Sequence, residues 1–129
     1  MPANVERVAR TIPLAVTFVV TCVTLFGPPA DVSPDIPHLD KAVHFALFAA
    51  LALTSRLARI PVRWTLGWLA VFAVASEVIQ GLLPYERRPD PADVAADLLG
   101  AAAGLLLAHA LGRRQPDSRS PLPAVRDQR

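Results

Sequence analysis

No Asp, Glu, Lys or Arg occurs from Thr11 to Ala30, from Ala42 to Ser55 or from Leu98 to Gly112, and Glu77 is the only one between Arg63 and Glu86. These four blocks are apolar on every side. A helix in a small soluble domain needs a charged stripe to face water, and none of the blocks supplies one. The mean hydropathy of +0.38 agrees. A soluble globular protein is therefore excluded, and 129 residues leave room for a single membrane domain. The only cysteine, Cys22, excludes an internal disulfide and reads as a packed small hydrophobe.

A membrane-crossing helix needs ~20 largely apolar residues, since ~30 Å of hydrocarbon is covered at ~1.5 Å per residue. Four spans fit, at Val8 to Phe26, Leu39 to Leu57, Trp64 to Leu83 and Ala92 to Leu111. The second has a charge-free stretch of only 14 residues, so Lys41 and Arg56 must extend their stems toward the interfaces; a re-entrant hairpin is the alternative. Gly27, Pro28, Pro29, Pro34 and Pro37 punctuate the first gap, Pro61 the second, and Pro84, Pro89 and Pro91 the third. No alternating strand pattern is present, and lipid leaves helices as the remaining way to satisfy the backbone. The expected fold is all-α, a four-helix transmembrane bundle over residues 1–112. Residues 113–129 read as a disordered basic tail.

Lys and Arg lie unevenly on the two sides of such a bundle. Arg7, Arg10, Arg56, Arg59, Arg63, Arg113, Arg114, Arg119, Arg126 and Arg129 fall on one side, and Lys41, Arg87 and Arg88 on the other with eight of the 11 acids. The positive-inside rule then places both termini in the cytoplasm of a multi-pass cell-membrane protein. Trp64 and Trp68 are expected as aromatic anchors at the inner face, and His109 as an interfacial residue there. A cleaved signal peptide at the first block is disfavoured by the sequence Gly27-Pro28-Pro29-Ala30-Asp31, which lacks a small-residue cleavage site.

Ionisable residues inside membranes are costly, so each needs a reason. Here they converge on one face, the outer one. Asp40, Lys41 and His44 open the second span; Glu77 and Gln80 lie near the end of the third; Arg87, Asp93 and Asp97 lead into the fourth. At ~100° per residue Asp40 and His44 share a face, and Asp93, Asp97, Gly100 and Gly104 fall on one arc. Since glycines admit a neighbouring helix closely, that arc is expected to point inward. Lys41 or Arg87 is the expected partner of Glu77. Lys41 is also the only lysine beside 12 arginines, at a place where a compact ammonium and a guanidinium are not equivalent.

The pattern Asp40-Lys41-x-x-His44-Phe45, then Ser76-Glu77-x-x-Gln80, then Arg87 with Asp93, and Gly100 and Gly104 beyond, resembles the VanZ-like family of small membrane proteins. The resemblance runs from Leu39 to Gly104. Where that family shows Asn four residues after the Asp, this chain has Asp97. The resemblance implies a polytopic envelope protein, and the namesake is associated with resistance to the glycopeptide teicoplanin. It supplies no reaction.

Three functional readings follow. The first is a site for an anionic lipid headgroup or lipid-linked cell-wall precursor, with Lys41, His44 and Arg87 meeting phosphate or carboxylate and Asp40, Glu77, Gln80, Asp93 and Asp97 positioning them. A satisfied ion-pair network locking the helices in a scaffold protein uses the same residues. The second is an enzyme acting on a phosphorylated lipid, with His44 as base or nucleophile oriented by Asp40 or Glu77. As a variant, Asp40, His44, Glu77, Asp93 and Asp97 form an oxygen-rich set better suited to Mg or Mn than to Zn, although no metal-binding motif is present and no cofactor is assigned. The third is a polar path along Thr17, Thr21 and Thr24, set against hydroxyls that bond back to their own helix. No folded basic surface is left to bind nucleic acid. Oligomeric state is not legible.

Overall fold

The computed structural model describes residues 2–28, 36–85 and 88–113. They form four helices, α1 (Ala3–Phe26), α2 (Leu39–Leu57), α3 (Val62–Leu82) and α4 (Pro91–Arg113), with no strand among the described residues. The expected four-helix class holds. The largest difference in bounds is at the start of α1, which reaches back to Ala3 through the polar turn carrying Glu6 and Arg7. Residues 114–129, most of the segment read as a tail, lie outside the described residues, as do Arg87 and most of the first gap.

α1, α3 and α4 are each long and apolar enough to cross a membrane. α2 is not among them, because it carries Asp40 and Lys41 at its start and Arg56 at its end. Neither long side chain simply reaches outward. Lys41 turns onto the start of α4, and the Arg56 guanidinium donates to the Ile60 carbonyl in the turn before α3. The protein is a membrane protein, with most of its large apolar side chains left on the outside of the bundle; Val71, Leu82 and Leu106 are each at least 70% exposed.

Contacts between helices fix their directions. Lys41 meets Asp93 and His44 meets Asp97, while Gly100 lies against Phe45 and Gly104 against Ala49. The numbers rise together, so α2 and α4 run parallel. Glu77, late in α3, meets Asp90 just before α4, and Gln80 meets Leu25 near the end of α1. α1 and α3 therefore end where α2 and α4 begin. α2 is the central helix, touching all three others.

The α2–α4 contact depends on two glycines. A Cβ at Gly100 would overlap the Phe45 carbonyl, and one at Gly104 the Ala49 carbonyl. Without side chains the backbones approach closely, and attraction between helices in lipid comes from such packing rather than from water exclusion. Next to this seam lies a core of Leu25, Phe48, Leu51, Ala52, Leu69, Ala73 and Ala101. Phe48 stacks on Phe72 at 5.6 Å between ring centres, and Phe18 and Trp68 close the aromatic group. Trp68 sits one turn beyond Trp64 and packs across helices onto Phe18 as well as onto Phe72 of its own helix. Trp64 is 63% exposed and has Arg63 over its ring.

Of Thr17, Thr21 and Thr24 on α1, the first two take the alternative to a polar path. Thr17 donates to the Pro13 carbonyl at 2.8 Å and Thr21 to that of Thr17 at 2.8 Å, so both hydroxyls are spent on their own helix.

Candidate binding site at one end of the bundle

Because α2 and α4 start together and α1 and α3 end there, one end of the bundle gathers the polar residues. Local chemistry sets the start of α4. Asp90 precedes Pro91, and its Oδ1 accepts the Ala92 N–H at 2.9 Å, an N-cap followed by proline at the first helical position. This cap turns the other carboxylate oxygen of Asp90 toward α2, where Lys41 Nζ donates to it at 2.7 Å. Lys41 also donates to Asp93 Oδ1 at 3.0 Å and lies 3.4 Å from Asp40 Oδ2. The Lys41 ammonium beside Asp90 holds that carboxyl below its ordinary range.

One turn deeper, His44 Nδ1 and Asp97 Oδ1 are 2.9 Å apart, with Asp97 fully buried and His44 nearly so. The second carboxylate oxygen of Asp97 is buried without a hydrogen-bond partner. Glu77 enters from α3. Its Oε2 accepts the Asp90 backbone N–H at 2.8 Å, and its Oε1 is buried without a partner. Gln80, one turn further along α3, donates to the Leu25 carbonyl at 2.9 Å and ties α3 to the end of α1. A buried polar atom normally has a partner, and leaving one without costs about 1–3 kcal/mol. Two such oxygens, one on α3 and one on α4, lie at this end of the bundle.

The structure brings together Lys41, His44, Glu77, Asp93 and Asp97, and it changes three of the expected pairings. Lys41 is not the partner of Glu77. The parallel packing of α2 and α4 sets the lysine against the first turn of α4, whereas Glu77 on α3 faces the loop leading into it. His44 is oriented by Asp97 rather than by Asp40 or Glu77, for the same reason. Asp40 stays at the rim, its side chain 62% exposed. Gln80 has a bond of its own to α1, and Arg87 lies outside the described residues. Asp90 is the site residue that sequence reasoning missed. The signal was an Asp directly before a proline at the head of an apolar block.

Among the described residues, five carboxylates, from Asp40, Glu77, Asp90, Asp93 and Asp97, stand here with the ammonium of Lys41 and one imidazole. His44, Glu77 and Asp93 each offer a ligand atom within 4.8 Å of the others, the one such metal-competent group among the described residues.

An all-helical membrane bundle with a buried, charged site at one end is the class that fold and geometry define. Its family is shown as well: the VanZ/LLP1 family model matches residues 4–112, and the chain belongs to that family. No curated protein and no solved structure matches the chain.

Proposed function

We propose that this end of the bundle recognises the anionic headgroup of a membrane lipid or of a lipid-linked cell-wall precursor, with Lys41 as the cation that meets it. The arginine distribution orients the site toward the outside, with both termini cytoplasmic in a multi-pass cell-membrane protein. The observation carrying the reading is the position of Lys41. Its ammonium is pinned by Asp90 and Asp93 at the level where two helices begin, and its side chain keeps 28% of its surface open. A flexible surface lysine would swing to water, whereas this one is presented in a fixed place. Resistance to a teicoplanin-type glycopeptide would follow if the headgroup belongs to a cell-wall precursor.

Mass spectrometry of lipids copurifying with the native chain and with Lys41→Ala tests the proposal. The expected result is an anionic lipid enriched on the native protein and depleted on the variant. Equal lipid profiles would overturn it.

The His44–Asp97 pair supports a second reading, an enzyme acting on a phosphorylated lipid. An imidazole held at Nδ1 by a buried carboxylate has the arrangement of an oriented general base. Incubation with polyprenyl phosphates separates the two, since a binder releases no phosphate.

A further inference from the structure

Among the described residues the Lys41 ammonium is shared among Asp40, Asp90 and Asp93, and two further carboxylates, Glu77 and Asp97, lie deeper at the same end without it. The same arrangement suits a positive ion.

We propose that His44, Glu77 and Asp93 bind a divalent metal ion of the first transition row, in the range from Mn²⁺ to Zn²⁺. Three observations carry this. The three side chains come from α2, α3 and α4, and their ligand atoms lie within 4.8 Å of one another. Three donors bound to one ion at ~2.1–2.2 Å are ~3.1–3.8 Å from one another, so a pair at the outer limit needs to close by roughly 1–1.7 Å, within the reach of side-chain rotation. Glu77 is 95% buried, being 5% exposed, and has one carboxylate oxygen with no hydrogen-bond partner. An unpaired carboxylate oxygen in an apolar bundle is what a ligand awaiting its ion presents.

His44 gives the third observation. Asp97 occupies its Nδ1 at 2.9 Å, so the imidazole binds an ion through Nε2 if the ring presents that nitrogen to the two carboxylates. A carboxylate behind a ligating histidine fixes the ring and the tautomer, and it recurs behind metal-bound imidazoles. Asp97 therefore acts behind the first ligand. This explains a carboxylate buried to 0% exposure whose visible partner is a histidine. It also alters the oxygen-rich set expected from sequence. With Asp97 spent on His44 and Asp40 at the rim, one nitrogen and two carboxylates remain. That donor set favours Mn²⁺ or Zn²⁺ over Mg²⁺ and Ca²⁺, which prefer oxygen alone.

An ion there adds positive charge directly beneath Lys41 and would give a phosphate a second partner. The ion site itself does not depend on the headgroup reading. Chelator-stripped full-length protein in detergent, titrated with Mn²⁺ while the free ion is followed by electron paramagnetic resonance, tests it without lipid. The expected result is saturation at about one ion per chain, with directly coordinated nitrogen in the pulsed spectrum. Glu77→Gln and Asp93→Asn are expected to weaken binding roughly tenfold or more. His44→Asn should abolish the nitrogen coupling, whereas His38→Gln and His109→Gln should keep it. Absence of saturable binding overturns the proposal, as does binding without nitrogen coupling, and both are read on the native chain even if a variant does not fold. Ion binding without any anionic lipid on the native protein would keep the metal site and remove the headgroup reading.

Discussion

The two ends of this bundle use charge in opposite ways. At the end where α2 and α4 begin, charged side chains are drawn inward and joined across three helices through Lys41, Glu77, Asp90, Asp93 and the His44–Asp97 pair. At the other end Arg10 reaches only Glu6 on its own helix at 3.5 Å, Arg56 the nearby Ile60 carbonyl, and Arg63 the adjacent Trp64. An open cleft of about 450 Å³ there is lined by Arg56, His109 and Arg113 among apolar residues, and it holds no buried ion pair among the described residues. Local, exposed charge is what orientation in a membrane requires, because the field acts on it without any fixed partner. Buried charge shared among helices requires geometry. On the proposed reading, the difference separates residues that set topology from residues that build a site.

The comparison breaks most completely if the α2–α4 seam is not what supports the polar end. Gly104→Val places a branched side chain against the Ala49 carbonyl and is expected to cost at least about 1–3 kcal/mol, read as a lower unfolding temperature in detergent. Retention of full stability would mean that the helices are not held this closely. Next in size is Asp97→Ala. It removes the carboxylate from buried His44 and should cost about 1–3 kcal/mol, while Asp97→Asn, which keeps a hydrogen-bonding group, should recover part of it.

A smaller effect belongs to Asp90. Its carboxyl is held low by Lys41, so the pair contributes fully above the ordinary aspartate value of about 3.9 and loses its contribution as pH falls through the lower folded-state value. Unfolding followed across that acid range should show a slope that Asp90→Asn flattens. Smallest is Arg59→Gly at the basic end. Arg59 occupies the left-handed region at φ 64°, in the turn where its N–H meets the Arg56 carbonyl and the Ile60 N–H meets that of Ser55. Glycine is the residue suited to this helix-ending motif, so stability should rise by up to about 1 kcal/mol. A loss instead would show that the arginine has a structural bond its surroundings do not reveal.

Much of this architecture was legible because membranes punish charge. Three charge-free blocks, a fourth interrupted only by Glu77, and their prolines located four helices, and Asp93, Asp97, Gly100 and Gly104 on one arc indicated the inward face of α4, where all four are buried. Pairing was not legible. Spacing along one helix says which residues share a face, but it says nothing about which neighbour lies opposite. The parallel placement of α2 beside α4 moved Lys41 onto Asp90 and Asp93, away from Glu77. The ring packing of Trp68 on Phe18 was not legible for a related reason, since composition alone does not say which aromatics stack within a bundle. Asp90 was readable in principle from the Asp-Pro step, yet its second oxygen could be matched to Lys41 only once both helices were in place.

The central claim is that the loop before α2 and the loop before α4 lie on the same, outer side of the membrane, so that their charges share one site. Single cysteines at His38, Arg88 and Arg59, introduced with Cys22 replaced by serine, can be labelled in intact cells by an impermeant thiol reagent. Labelling is expected at positions 38 and 88, and at 59 only once the membrane is opened. Labelling at 38 without 88, or at 88 without 38, would contradict the claim.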